Sequence, residues 1–350
     1  MHVPDHFLDP ATSVATVVAA GAALGIAGAR LRRTPSSPSP ALVAATTAAV
    51  FGLQMLNFPV ADGTSGHLLG GALAAAVLGP WWGMISVTLV LLVQAVGFAD
   101  GGLTALGTNV LLMAVVGVLV GWATSRAVLA LVRRQAVDRR PGAGLIGLAA
   151  GVGGAVSVVA ASAVFTVLFA LGGTAEVPLG ALAGAMLGVH ALIGVGEALI
   201  TGVVVAAVAL VAPGAMALAQ VGAPAPESRV PGARTAGVRA AGVRAADVRA
   251  AGVPAAGARA AGVLGVVAVV AAGVLSALAS GLPDGLEATA LSLGFADAAG
   301  EHWLAAWPLA GYGDATGLFV GLAGLAGVAL CGVAALGTSR ALSSPRPVDA

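Results

Sequence analysis

The stretch AGAMLGVHALIGVGEALITGVVVAAVALVA, residues 183–212, contains no Asp, Lys or Arg, and its only Glu is Glu197. About 20 apolar residues in a row are enough for a helix to cross the bilayer, so this stretch predicts a membrane-spanning helix. Glu197 lies near its middle. A carboxylate inside a membrane is a functional candidate, with a hydrogen-bonded anchor between helices as the structural alternative. His190 lies on the same face, about 10 Å from Glu197 along the axis, so the two cannot bond each other directly.

The composition of the whole chain indicates the same fold class. Of its 350 residues, 59% are hydrophobic and 9% are charged, whereas about a quarter of the residues in soluble domains are charged. We therefore predict an all-α, polytopic membrane protein. Apolar runs separated by arginines or by Asp, Gly and Pro turns predict nine spans, at 11–30, 41–56, 67–80, 83–98, 104–125, 143–171, 183–212, 262–280 and 316–337.

The distribution of charge predicts the orientation of these spans. The chain has no Lys, and with the amino terminus outside, all 16 arginines fall in cytoplasmic segments. Basic residues accumulate on the cytoplasmic side of membrane proteins, so we expect the linker described below and the carboxyl terminus to be cytoplasmic. The Ala, Gly, Arg and Pro bias is typical of a GC-rich bacterial genome, which makes the bacterial inner membrane the expected location. Because the membrane topology accounts for the position of every arginine, no nucleic-acid partner is expected.

Residues 213–261 differ in kind from the spans on either side. They consist of near-repeats such as AGVRAAGVRAADVRA interrupted by prolines, and regular Gly and Pro discourage a continuous helix. We predict three parts: a seven-helix membrane module at 1–212, a flexible cytoplasmic linker at 213–261, and a two-helix module at 262–350.

The first two residues, Met1 and His2, form a chelating group before any fold is considered. The terminal amine, the His2 amide nitrogen and the His2 ring Nδ1 can close adjacent rings around one ion. Displacing the amide proton favours Ni(II) or Cu(II) in a square-planar nitrogen field. Met1 must then be retained with a neutral amine, and no cleaved signal sequence is expected. His67, in GTSGHLLGG, is the predicted fourth ligand.

Polar residues in the predicted external loops and in the long span are candidates to support this site. They are Asn57, Asp62, Gln94, Asp100, Asn109, His190 and Glu197. Asn57 or Asp62 could accept a hydrogen bond from the second ring nitrogen of His67. Asp100 could cap the segment that follows it or support the amino-terminal loop.

Several motifs together resemble the substrate-binding subunit of nickel/cobalt energy-coupling-factor transporters. They are MHVPDHFL at the terminus, GHLLGG around His67, the FADGG turn and HALIGVGEALIT. SGLPDGLEATA, residues 280–290, resembles the small accessory subunit of the same transporters, known for its Pro-Asp-Gly-Leu-Glu motif. The resemblance covers both modules and implies that Met1, His2 and His67 hold the metal. His6 stands where the family commonly has Gly, and we interpret it as a bystander.

The Pro-Asp-Gly-Leu-Glu turn brings two carboxylates, Asp284 and Glu287, to the predicted external side. Carboxylates are hard donors that suit nickel less well than imidazole does. We therefore predict that this turn holds or gates the amino-terminal loop, with direct ligation as the alternative. His302, in the same loop, is interpreted as structural.

The resemblance implies a transport subunit that captures Ni(II) or Co(II) as cargo and needs no cofactor. A nucleotide-binding GxxxxGK[ST] motif requires Lys, which the chain lacks, so ATP hydrolysis is expected in partner subunits. The implied partners are a membrane-embedded coupling subunit and a pair of cytoplasmic ABC ATPases. A stripe of small residues on the first span would permit close approach of such a partner.

Alternatives to this interpretation remain open. The same machine could be selective for cobalt for corrinoid synthesis. The chain could instead be a self-sufficient secondary metal carrier driven by ions, which predicts more paired charges within the membrane than Glu197 alone. A membrane enzyme is poorly supported because no nucleophile–base constellation is evident.

Overall fold

The computed structural model describes residues 1–34, 37–61, 63–135, 141–220, 236–310 and 318–343. The helices in this part of the chain are α1 (Pro10–Arg32), α2 (Pro40–Gln54), α3 (Gly71–Leu78), α4 (Pro80–Gly97), α5 (Leu106–Asn109), α6 (Gly117–Gln135), α7 (Ala143–Gly172), α8 (Leu179–Val211), α9 (Ala217–Gln220), α10 (Ala236–Gly273), α11 (Gly285–Leu293) and α12 (Leu318–Ser343). A π-helical segment, Val110–Val116, joins α5 to α6. A short antiparallel pair, β1 (Phe58–Pro59) and β2 (Ser65–Gly66), places Phe58 opposite Gly66 and Pro59 opposite Ser65.

Seven helical stretches in the described residues are long and apolar enough to cross a membrane, which confirms the predicted all-α membrane class. They are Pro10–Arg32, Pro80–Gly97, Leu106–Arg134, Ala143–Gly172, Leu179–Val211, Ala255–Gly273 and Phe319–Leu342. The predicted spans at 41–56 and 67–80 are shorter in the structure, since α2 has 15 residues and α3 has 8. Eight helical residues rise about 12 Å, well short of the ~30 Å hydrocarbon core.

Helix α3 begins at Gly71 instead of residue 67, and the two amides that precede it are bonded to a side chain of another helix. Gly70 adopts φ 77°, a left-handed conformation that favours glycine. The carboxylate of Glu197, on α8, accepts hydrogen bonds from the amides of Leu69 (2.6 Å) and Gly70 (3.1 Å). Carboxylates are favourable at helix amino termini. These contacts correspond to the anchoring alternative for Glu197.

The long helices set up two opposite ends of the bundle. Asp9 caps α1 by accepting from the Thr12 amide at 2.6 Å, and its own amide donates to Gly172, at the end of α7, at 2.7 Å. At the far end of α1, Arg30 lies over the ring of Trp81, 5.8 Å from its centre. The amino-terminal loop and Arg30 therefore lie at opposite ends. Arg139, Arg140, Arg229, Arg234 and Arg346 fall outside the described residues.

Helix α10 corrects the prediction that no continuous helix forms in 213–261, because it begins at Ala236. Ala is the strongest helix former and Arg is a good one, so these residues outweigh the recurring glycines. Residues 221–235 lie outside the described part of the chain, and the three-part division stays a prediction.

The two carboxyl-terminal helices pack directly on α2. A methyl group placed on Gly52, in α2, would lie 2.7 Å from the Ala268 carbonyl oxygen in α10, and one on Gly327, in α12, would overlap the ring of Phe51 in α2. Small residues allow helix backbones to approach this closely in membranes. The carboxyl-terminal helices are therefore in contact with the helices of the predicted metal-binding module.

Candidate metal centre

Residues 1–9 form a loop that is folded back into one end of the bundle, with Met1 and Val3 buried. The Asn109 side chain holds Val3 on both sides: Oδ1 accepts from the Val3 amide at 2.8 Å, and Nδ2 donates to the Val3 carbonyl at 3.0 Å. The amide of Gly102 also donates to the Val3 carbonyl, at 3.0 Å. The main-chain amide and carbonyl of Val3 are therefore both hydrogen-bonded, although the loop is not part of a sheet.

Asp5 ties the same loop to the turn before α5, a role that the sequence did not suggest. Its Oδ1 accepts from the amide of Thr104 at 2.6 Å and from the Thr104 hydroxyl at 2.5 Å. A methyl group on Gly102 would overlap the Asp5 amide nitrogen, so only glycine fits there. The predicted capping role of Asp100 is wrong, because α5 starts at Leu106.

The Met1 amine contacts two groups that lie far away in sequence. It is hydrogen-bonded to His67 Nε2, and it lies 2.9 Å from Oδ2 of Asp284. The other oxygen of Asp284 caps α11 by accepting from the amides of Leu286 (2.8 Å) and Glu287 (2.9 Å). Burial alone would raise the pKa of Asp284, but the Met1 ammonium and His67 outweigh it and hold that pKa well below its usual range.

The His2 ring stacks on the His67 ring, with ring centres 4.9 Å apart and planes 19° from parallel. His2 Nε2 is hydrogen-bonded to Oε1 of Gln94 at 3.2 Å, and Nδ1 lies 3.3 Å from Oδ1 of Asp100. Burial lowers the pKa of His2 to about 4, despite the opposing effect of Asp100. The ring is therefore neutral at neutral pH, as a metal ligand must be.

His67 finds a different partner for its second ring nitrogen from the one that the sequence suggested. Nδ1 is hydrogen-bonded to the carbonyl of the next residue, Leu68, at 3.0 Å, in place of Asn57 or Asp62. Asn57 uses its main-chain carbonyl to accept from the Ser280 amide at 2.7 Å. Asp62 lies outside the described residues.

Gln54 is a member of the site that sequence analysis missed. Gln94 Nε2 donates to Gln54 Oε1 at 2.8 Å, and Gln54 Nε2 donates to the Leu69 carbonyl at 2.8 Å. A Gln at the end of an otherwise apolar helix was the available signal. With Glu197 bound to the Leu69 amide, hydrogen bonds run from the His2 ring to α8.

A cavity of about 330 Å³ lies beside this site and is lined in part by His2. Its polar lining includes His2, Asp5, Asp100, Asp284, Glu287 and His302. Nδ1 of His302 accepts a hydrogen bond from the Leu304 amide at 3.0 Å. The exposed side chain of His6 does not line this cavity.

His190 is buried, with Nδ1 bonded to the Met186 carbonyl at 2.8 Å.

The structure thus brings together the three residues predicted as ligands, Met1, His2 and His67. Among the described residues, no cluster of three or more His, Cys, Asp or Glu side chains has an arrangement that could hold a metal ion. The candidate donors are two imidazoles and main-chain nitrogen, and neutral nitrogen donors of this kind suit Ni(II) and Co(II).

Comparison with known proteins identifies the family. Residues 2–215 match CbiM, described as the cobalt uptake substrate-specific transmembrane region. The chain belongs to the CbiM family. This confirms the predicted resemblance to nickel/cobalt substrate-binding subunits, and it makes the chain a component of a metal-transport family.

Two relatives of this CbiM-family chain are named as nickel transport proteins. A putative fused nickel transport protein from Archaeoglobus fulgidus is 44% identical over 128 residues, which are 37% of this chain and 42% of the relative. A fused nickel transport protein from Rhodobacter capsulatus is 40% identical over 120 residues, 34% of this chain and 35% of the relative. The chain therefore spans less than half the length of either relative in these matches.

Solved structures of similar proteins point the same way. A truncated transition metal transporter is 31% identical, with a TM-score of 0.50 over 59% of this CbiM-family chain and 96% of the solved one. A second transition metal transporter is 30% identical, with a TM-score of 0.51 over 59% and 91% of the two chains.

Proposed function

We propose that this chain is the substrate-specificity subunit of an importer for Ni(II) or Co(II). One observation carries the proposal: the Met1 amine is buried against His67 Nε2, and the His2 ring stacks on His67. In the proposed site, the Met1 amine, the main-chain and Nδ1 nitrogens of His2, and His67 Nε2 bind the ion. The two stacked rings and the chain terminus lie within reach of one small cation. The names of the similar nickel and transition metal transporters support the same cargo.

The proposed direction of transport is inward. Arg30 lies at the end of the bundle opposite the site, and the Arg259 side chain donates to the carbonyl of Val211, at the far end of α8. Because arginines accumulate on the cytoplasmic side, we place the metal site on the external face and the carboxyl terminus in the cytoplasm of a bacterial cell.

Energy would come from partner subunits. We propose a membrane-embedded coupling subunit and a pair of cytoplasmic ABC ATPases. Ala11, Ala15 and Ala19 lie on an exposed face of α1, which supports this helix as the contact surface, since small residues allow close helix approach. Transport of radioactive nickel into vesicles in the absence of any ATPase would instead favour a secondary carrier.

The chelate is tested by adding two alanines before Met1, since a single added residue would put His2 in third position, where a free amine, two amide nitrogens and the ring can chelate Ni(II) by themselves. Isothermal titration of the purified, detergent-solubilised protein with Ni(II) should then show no high-affinity binding, because the displaced amine can no longer reach His67. Intact-mass measurement should show that Met1 is the first residue of the unmodified protein. Unchanged affinity in the extended protein would overturn the chelate.

His67→Ala should also abolish tight binding, whereas His6→Ala should bind like the unmodified protein, because His6 is exposed in the same loop and does not line the site. Competition between Ni(II) and Co(II) in the same titration decides which cation is preferred. A stronger response to Co(II) would favour the cobalt-selective alternative.

A further inference from the structure

The hydrogen bonds around each histidine determine which ring nitrogen is left for a metal. A neutral imidazole has one N–H and one lone pair, and the nitrogen that donates a hydrogen bond cannot bind a cation. Because a carbonyl oxygen only accepts, the Leu68 carbonyl requires the proton of His67 on Nδ1. This leaves the lone pair on Nε2, the atom that faces the Met1 amine.

His2 is controlled over a longer path, whose direction is fixed at its far end. The Leu69 carbonyl can only accept, so Gln54 must point its NH2 group at it and its Oε1 at Gln94. Gln94 must then donate through Nε2 to Gln54, which turns its own Oε1 toward His2. An oxygen that faces His2 Nε2 at 3.2 Å draws the proton to that nitrogen, in competition with Asp100 Oδ1, which lies 3.3 Å from Nδ1.

We propose that Gln54 and Gln94 form a directional amide relay that holds His2 as its Nε2–H tautomer and presents Nδ1 to the metal. The role of Nδ1 as a ligand rests on the proposed function. The tautomer itself is a property of the metal-free protein and can be measured separately.

The surroundings of the relay make its direction hard to reverse. Gln54 and Gln94 are 4% and 3% exposed, so water cannot replace a lost partner. Turning either amide would place two donors or two acceptors face to face in a low-dielectric setting, where an unmatched polar group is costly. Leu69 is fixed as well, because Glu197 binds its amide at 2.6 Å. The two glutamines are thus positioning residues that act on the metal through His2.

The relay is tested by the tautomer of His2 in the full chain, without metal, after labelling its histidines with nitrogen-15. Nitrogen chemical shifts separate protonated from unprotonated ring nitrogens, and the His2 signals are assigned by their loss in His2→Ala. We expect Nε2–H in the unmodified protein. Gln94→Met should abolish this preference.

Gln54→Met is the sharper variant because Gln54 does not touch His2. Removing it frees the Gln94 amide to turn, so the Nε2–H preference should weaken, and the change should add nothing in a Gln94→Met background. In nickel titrations, Gln94→Met should weaken affinity about 10- to 100-fold, the usual effect of losing a partner of a metal-bound histidine. Gln220→Met, which removes a side-chain bond to the Gly214 carbonyl away from the site, is the matched control.

A proton on Nδ1 of His2 in the unmodified protein would overturn the relay, as would an unchanged tautomer in a folded Gln94→Met variant. Thermal melting of each variant separates loss of fold from loss of the tautomer. If the unmodified protein shows the expected tautomer but binds neither Ni(II) nor Co(II), the relay stands and the proposed function fails.

Discussion

The pocket around Met1 and His2 has two unlike walls. The inner wall consists of neutral amide side chains, Gln54, Gln94 and Asn109, all 4% exposed or less. The outer wall consists of carboxylates, Asp100, Asp284 and Glu287, of which Asp284 and Asp100 are 19% and 28% exposed. The inner wall bonds to main chain and to Nε2 of His2, whereas the outer wall lies beside Nδ1 of His2, the Met1 amine and the cavity.

The difference indicates that the inner wall sets the geometry of the site and the outer wall sets its charge. Buried hydrogen bonds are strong and directional because water does not compete for them, so the inner wall can fix the positions of nitrogen atoms. Partly exposed charges are screened by water and salt, so the outer wall chiefly offsets the charge of a bound cation. Substitutions at or behind the inner wall should therefore reduce stability or metal affinity more than substitutions in the outer wall.

The largest effect is expected for Glu197→Ala, behind the inner wall. The amides of Leu69 and Gly70 would lose their acceptor while still buried, at a cost of about 1–3 kcal/mol each. The free energy of unfolding should fall by about 2–6 kcal/mol, as measured by denaturation in detergent, and metal binding should fall with it. Thr16→Val, which also removes a buried hydrogen bond on α1, is a control away from the α3 cap. Equal losses in the two variants would contradict a special role for Glu197.

Asn109→Ala should come second. It removes both hydrogen bonds to Val3 and so loosens the loop that carries the proposed ligands. We expect affinity for Ni(II) to fall about 10- to 30-fold, as for the loss of one to two hydrogen bonds, with stability less affected. Asn57→Ala is the matched control, because Asn57 bonds to Ser280 through its main chain. A larger loss of Ni(II) affinity in Asn57→Ala than in Asn109→Ala would contradict the role of Asn109 in holding the loop.

Asp284→Asn probes the outer wall and should have a smaller effect. Replacing the carboxylate removes a negative charge beside the Met1 amine that would offset the charge of a bound cation, while the remaining side-chain oxygen can still cap α11. We expect nickel affinity to fall about fivefold at low salt, and the difference should shrink at 1 M salt because of screening. A difference that is independent of salt would place Asp284 among the ligands instead.

Asp100→Asn should have the smallest effect, within about twofold. Its carboxylate is the more exposed of the two, and its contact with His2 Nδ1 is long, at 3.3 Å. A loss as large as that of Asn109→Ala, measured in the same nickel titration, would show that charge and not geometry dominates the site.

Sequence analysis predicted the membrane class, most of the spans and the meeting of Met1, His2 and His67. Long apolar runs and basic flanks depend on local composition, and these features are readable without a fold. The shortened α3 could not be predicted, because the amides that precede it are bonded to Glu197, which is more than a hundred residues away in the chain. The helical start at Ala236 was missed because glycine spacing was given more weight than alanine content.

The sequence by itself determined that this chain lies in a membrane and which nitrogen atoms it offers, because burial in lipid and donor chemistry are properties of residue types. Only the tertiary structure decided which partner faces each ring nitrogen, which carboxylate faces the Met1 amine, and that Gln54 is hydrogen-bonded to Gln94. Those outcomes depend on hydrogen bonds between groups far apart in the chain, and a hydrogen bond is made only when packing brings a donor and an acceptor within about 3 Å at the right angle.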